Sequence, residues 1–353
     1  MADRDEEGIA FSFCHTQQSF RLLELPPPLV DMLTSDNPPA LTIKSSDATL
    51  SDSSSPSHAV LCTPGKTYQL RQVHSSNSIF LTQPLHHSDH SSTETGISVV
   101  ACLKSTLELH SAPASPDQYL RQLLPEYAGL QVNPDYGNEA PSVSAPDKGM
   151  SKLGVFSDIA ASDEECERAW IDSCAFEDTS YRAKLPSAGA KLGLWRSIIS
   201  IAVSEGLRVE SVFSKDDLWR FVSTENWPRD FFNAVLIRLS TTFGSAHDRR
   251  CSFDRGICVP WVGSLILEAG YSDHDMPIEA FLDAWKDHLP EAWRNEVSLS
   301  RIENNYFCPG STSIRFKQSN SDGEGPETVS SSAPKHGPNK RKWHEKFRGT
   351  AKR

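Results

Sequence analysis

Residues 59–81 place the tightest constraint on the fold. In Ala59-Val-Leu-Cys-Thr-Pro-Gly-Lys-Thr-Tyr-Gln-Leu-Arg-Gln-Val73, Val60, Cys62, Thr67, Gln69, Arg71 and Val73 alternate with Leu61, Tyr68 and Leu70. A period of two describes strands with one face turned to a core. Pro64-Gly65 supplies turn chemistry between the two runs, and Ser76-Asn-Ser-Ile-Phe-Leu81 adds another strand signal. The expectation is a hairpin followed by a third strand at 79–81.

Gly65-Lys66-Thr67, inside that hairpin, has the last three residue types of a phosphate-binding loop. Such a loop also needs a glycine five residues earlier and a helix afterwards, whose N-terminal amides cradle the phosphates. The earlier position is Val60 and a strand pattern follows, so the residues fit a tight turn. No nucleotide or other cofactor is expected.

Further strand patterns flank this region at 20–25, 41–44 and 97–110, and Pro26-Pro-Pro28 with Leu29 to Leu33 reads as a short helix. Six short strands in about ninety residues fall short of a closed barrel, and an uncovered edge is a liability in a folded protein. Strands supplied by other subunits would complete such a half-barrel. Ser115-Pro116 then starts a helix with Tyr119, Leu120, Leu123 and Leu124 as its stripe, and residues 131–151 read as a linker.

From Lys152 the pattern becomes helical. Ser162 and Glu165 form a capping box ahead of Cys166, Ala169, Trp170 and Cys174, and Asp163, Glu164 and Glu165 lie in a first turn where the helix dipole favours acids. Helices follow over 192–203, from Ser214 to Val222, from Pro228 to Leu239, over 257–269 and over 277–288; 209–213 reads as a strand. Ser300 to Asn304, Tyr306 to Cys308, Pro309-Gly310 and Ser313 to Phe316 end this part in a hairpin, and three helices followed by a hairpin is the order of a winged helix. The fold class expected is α+β, with a β-rich half-barrel completed by partners and helical winged-helix modules after it. Its divisions are 1–18 without structure, 19–130 assembly domain, 131–151 linker, 152–240 and 241–317 winged-helix modules, and 318–353 a polar linker with a basic tail.

Charge divides the chain differently. Its formal charge is −11, yet residues 335–353 hold eight Lys or Arg against Glu345, a net +7 that leaves −18 on the preceding 334 residues. An acidic body disfavours general phosphate binding, whereas the tail suits nucleic acid, an import receptor or an acidic protein surface. The eight cysteines contain no C-x-x-C pair and mostly sit in apolar patterns, as buried, reduced thiols do. His86-His87-Ser88-Asp89-His90 lacks further ligands at zinc spacing and reads as a surface loop, and no membrane span or secretion signal is expected.

Leu22-Leu-Glu-Leu25, Ala59-Val-Leu-Cys-Thr63, Lys66-Thr-Tyr-x-Leu70 and Ser76-Asn77 resemble the amino-terminal signature of the sister chromatid cohesion subunit called "defective in sister chromatid cohesion". The resemblance is close over 20–81 and holds by pattern beyond it. It implies a nuclear, non-ATPase accessory subunit of an alternative replication factor C that loads PCNA. Implied partners are the chromosome transmission fidelity large subunit, the small β subunit of the same loader, DNA polymerase epsilon, PCNA indirectly and DNA weakly. A Lys-Trp pair near the end is similar too, but the third winged helix usual around it is shortened here.

From these readings the assembly contacts expected are Leu22, Leu23, Leu25, Val60, Leu61, Tyr68 and Leu70. The DNA or polymerase contacts expected are Arg249, Arg250, Arg315, Lys317, Lys340, Arg341, Lys342 and Trp343; Trp227 and Trp261, with Trp343, are the more exposed tryptophans and candidate partner anchors, although a structural role fits each better. No catalytic or metal-binding residue is expected. The competing class is a free-standing winged-helix transcription or chromatin factor, against which the acidic body and the β half both argue.

Overall fold

The computed structural model describes residues 9–16, 18–45, 59–85, 96–111, 116–130, 149–243, 250–270 and 275–317. The chain is mixed α+β with several sheets, and among the described residues none closes into a barrel. Its first part is one sheet built from β1 (Ala10–Phe13), β2 (Leu22–Glu24), β3 (Thr42–Ser45), β4 (Ala59–Cys62), β5 (Thr67–Leu85) and β6 (Gly96–Ser111). The strand order is β1-β6-β5-β4-β3. β2 pairs in parallel with β6 at Thr106–Glu108, while β1 pairs in parallel with Gly96–Val99 near the other end of that strand.

Three sequence expectations change here. The strand expected at 79–81 is not separate: β5 runs 19 residues, with its register against β6 interrupted between His74 and Ile79. Gly96–Ser111 continues beside it for 16 residues, so the sheet is dominated by one long ribbon and not by six short strands. Residues 10–13, expected without structure, form β1 because Phe11 and Phe13 meet Phe80 edge-on, with ring centroids 6.4 and 6.0 Å away.

A helix α1 (Pro27–Leu33) closes one part of the sheet. Its Leu29 is fully buried against Leu61 and Tyr68, with Leu25, Leu70 and Leu109 packed around them. That cluster is small, and the larger cores lie further along the chain.

The second part holds α2 (Pro116–Leu123), β7 (Glu126–Tyr127), α3 (Lys152–Asp158), α4 (Asp163–Ser173), β8 (Phe176–Glu177) and β9 (Ala183–Pro186). Leu120, Phe156, Ile159 and Trp170 form its core. After it come α5 (Ala188–Ser204), β10 (Phe213–Ser214), α6 (Lys215–Val222), α7 (Arg229–Leu239), β11 (Ser240–Phe243) and β12 (Arg250–Phe253). The same order then recurs as α8 (Arg255–Gly270), β13 (Met276–Pro277), α9 (Ile278–Asp287), 3-10 turns at Glu291–Glu296 and Leu299–Asn305, β14 (Tyr306–Phe307) and β15 (Ser313–Phe316).

In each repeat the closing hairpin takes up the earlier two-residue strand: β10 pairs with β12, and β13 with β15. Residues 240–253 therefore share a sheet with Phe213–Ser214. The strand expected over 209–213 shrinks to that pair, residues 209–211 being turn and bend.

One core runs through both repeats. Trp195 of α5 is fully buried, stacks on Trp293, meets Phe253 and Trp261 edge-on, and donates its indole N–H to the His288 carbonyl at 2.8 Å. Trp285 donates to the Val259 carbonyl and lies over Gly263, where an added Cβ would come 2.5 Å from its ring. Glycine is needed there for close approach.

Candidate functional site

The turn that carries Gly65-Lys66-Thr67 has a definite task. Pro64 accepts a backbone hydrogen bond from Glu164, in the first turn of α4, and Thr63 closes the turn by accepting from the Lys66 amide. Thr67 is fully buried; its hydroxyl donates to the Glu165 carboxylate and accepts from the Ser162 amide at 2.7 Å. Ser162 and Glu165 complete the expected capping box. A turn read first against a phosphate site thus sits on a helix N-terminus, with a protein carboxylate and carbonyl taking up the free amides.

Lys44 makes a second tie from the outer strand β3. Its ammonium donates to the carbonyls of Phe156 and Ala161, at 3.0 and 2.8 Å, and pairs with Asp163. Val60 and Cys62 pack on Ala160 between the two ties. The sheet is therefore fixed to the helical part through β3, β4 and the turn into β5.

The expected assembly contacts divide accordingly. Val60, Leu61 and Tyr68 are buried inside the chain, and Leu25 and Leu70 pack partly against the α1 cluster. Leu22 is half-buried, and of the seven only Leu23 is exposed. Besides Leu23, the sheet leaves Phe11, Phe13, Ile79 and Phe80 exposed at the far end of the ribbon, and Ile43 on the outer strand. The F-x-F alternation of 11–13 and the Ile79-Phe80 pair were the signals for this patch.

Of the expected basic contacts, Arg250, Arg315 and Lys317 are among the described residues. Arg315 on β15 pairs with Asp275 through two nitrogens, at 2.6 and 2.7 Å, and lies over the Phe307 ring. Lys317 is exposed at the end of that hairpin and Arg250 is exposed at the start of β12. Arg249, Lys340, Arg341, Lys342 and Trp343 lie outside the described residues, as does the histidine loop 86–90. Trp227 has the structural role that fitted it better: it is buried and donates to Ser197 at 3.0 Å, next to Asn226 in left-handed conformation. Trp261 is half-buried against Trp195.

A family model described as "Sister chromatid cohesion protein Dcc1" matches residues 20–321. The chain belongs to the Dcc1 family. Membership gives it a role in sister chromatid cohesion. The search of curated proteins finds no match. The matched span takes in the ribbon, the anchor turn and both helix-and-hairpin repeats.

In this Dcc1-family chain five of the eight cysteines are buried, all eight are free thiols, and burial pushes the buried ones up, Cys166 and Cys174 to about 11. Such thiols pack as small apolar groups, and burial disfavours their thiolate form.

Burial alone would raise the Glu165 carboxyl, but the hydrogen bonds from Thr67 and Ser162 outweigh it and hold the group below its ordinary value. A depressed carboxyl contributes stability that is present above the unfolded value, near ~4.3, and is lost as pH falls through the folded one. Thr67→Val keeps the shape and removes both hydrogen bonds, so it is expected to cost about 1–3 kcal/mol at neutral pH. The gap between variant and parent melting temperatures should narrow below about pH 4. An unchanged gap from pH 7 to 3 would mean that Thr67 acts by packing alone.

Proposed function

We propose that the chain is a non-catalytic nuclear subunit of an alternative replication factor C, in which it helps to place PCNA on DNA at replication forks. The observation that carries this reading is the open sheet. β3 and the β1–β2 side have no further strand among the described residues, and the far end of the ribbon exposes three phenylalanines together. An uncovered edge beside exposed aromatic rings suits strand addition by another chain. The occupants proposed are the chromosome transmission fidelity large subunit and the small β subunit, whose strands would extend this half-barrel.

The recurring helix, short strand, helix, helix and hairpin support reading 188–253 and 255–316 as winged helices. Their assigned partner is DNA polymerase epsilon, with PCNA met indirectly and DNA weakly. Purification from cells tests the whole reading: clamp-loader subunits and polymerase epsilon should co-elute. A chain that elutes alone and binds one duplex sequence tightly would be a transcription or chromatin factor instead. ATP hydrolysis by the isolated chain, lost in Lys66→Ala, would overturn the non-catalytic part.

The DNA contribution is assigned to the basic end. Deleting 335–353 should weaken duplex binding at low salt and lower the salt slope by about 0.9 per lost phosphate contact. Four lost contacts would make the defect on the order of 10² smaller at 200 mM than at 50 mM salt. Unchanged affinity at low salt would make this segment an address signal.

A further inference from the structure

A cavity of about 730 Å³ lies between α2, α4, α5 and α8. Its walls carry four carboxylates, Asp117, Glu126, Asp172 and Glu268, against two cations, Arg121 and Lys191. Glu268 is paired with Arg121, and Asp172 with Arg238. Asp117 and Glu126 have no ion-pair partner among the described residues. Lys191 is nine-tenths buried in the wall, and its charge acts on Asp117. Burial, then Asp172, pushes the Asp117 carboxyl up against the opposing pull of Arg121 and Lys191, and a further cation beside it would add to that pull. Leu124, Leu185, Trp261 and Leu265 give the same cavity an apolar side.

A ligand fitted to this lining carries several positive charges, one acid for Lys191 and an aromatic ring. Lys340-Arg-Lys-Trp-His-Glu-Lys-Phe-Arg348 has that composition, with Glu345 as its single acid. The chain also reaches the cavity wall at the right place. The Lys317 amide donates to the Asn305 carbonyl at 2.9 Å, and the Asn305 side chain donates to Ser264, a wall residue, at 2.6 Å. From Lys317 to Lys340 the chain can span up to about 75 Å, and a tethered segment meets its site at an effective concentration in the millimolar range.

We propose that the cavity between α2, α5 and α8 is a binding site for a basic, aromatic peptide, occupied in cis by residues 340–348. Asp117 and Glu126 take its Lys and Arg side chains, Lys191 takes Glu345, and Trp343 lies on the Trp261 side. Seated there, the segment is withheld from DNA; this consequence rests on the DNA reading above, whereas the site itself does not.

Zero-length carbodiimide cross-linking of the full-length chain, read by mass spectrometry, tests it. Amide links are expected from Lys340, Lys342 or Lys346 to Asp117 or Glu126, and from Lys191 to Glu345. They should fade at high salt and disappear in Asp117→Asn/Glu126→Gln. Lys340→Glu/Lys342→Glu should abolish the contact and leave the melting temperature of the described core unchanged. No links to the cavity, or links that persist in both variants, would overturn the site. In a mixture of heavy and light isotope-labelled chains, mixed-label links would overturn the cis arrangement and point to a second copy. If the segment is seated nine-tenths of the time, Asp117→Asn/Glu126→Gln should raise DNA affinity about tenfold, and deletion of 335–353 should erase that gain. Cavity links in a chain whose DNA affinity ignores the deletion would keep the site and sink the DNA reading.

Discussion

Replacing Trp195 by alanine should lower unfolding stability by about 3–5 kcal/mol, the usual range for emptying a fully buried tryptophan site. Little can collapse into the space, because Trp293, Trp261 and Phe253 are held by elements of both repeats. The His288 carbonyl would also lose its indole donor. In denaturant the midpoint should fall, and a second transition should appear as the α5–β12 and α8–β15 repeats come apart. A loss under about 1 kcal/mol with one unchanged transition would mean that the two repeats are joined elsewhere. Leucine at 195 should recover part of the packing but not the hydrogen bond, and so separate the two contributions.

Phe11→Ser/Phe13→Ser/Phe80→Ser should leave the isolated chain nearly as stable as the parent and still prevent assembly. The three rings are 52%, 57% and 43% exposed, so little burial is lost within the chain. Aromatic anchors at the centre of an interface often cost 2 kcal/mol or more each, so affinity for the partner subunits should drop on the order of 10³ or more. Pull-down of co-expressed subunits reads the loss, and thermal melting checks the fold. Full assembly by this variant would move the interface to the β3 edge, where Ile43→Ser becomes the informative change.

Much of the helical half was legible because local chemistry and tertiary use coincide. Ser162 and Glu165 cap α4, Ser214 caps α6 by accepting from the Asp217 amide, and Pro228 precedes α7, all as their spacing predicts. The Pro64-Gly65 turn was legible as a turn but not as a helix anchor, since the Glu164 and Glu165 it meets lie about a hundred residues away and leave no local mark. Burial of Val60 and Leu61 was equally hidden: alternation says that one face is covered, not by what. A run of four residues, 75–78, breaks the β5 pattern and looks like a loop between two strands, yet it is an irregularity within one strand. The cavity combines residues from Asp117 to Ala269, none of which forms a motif with the others in sequence.

The anchor turn also sets an order of events when the chain is made. Thr67 leaves the ribosome 98 residues before Glu165, an interval of roughly 5–20 s at ordinary rates of synthesis. For that time Val60, Cys62 and the Lys44 ammonium have nothing to rest on, and the sheet is held by little more than the small cluster around Leu29. Nascent chains should therefore be captured by holding chaperones, or by the strand-adding subunits proposed above, until α4 emerges. Making those subunits earlier or more abundantly should raise the yield of this chain more than slowing its own translation.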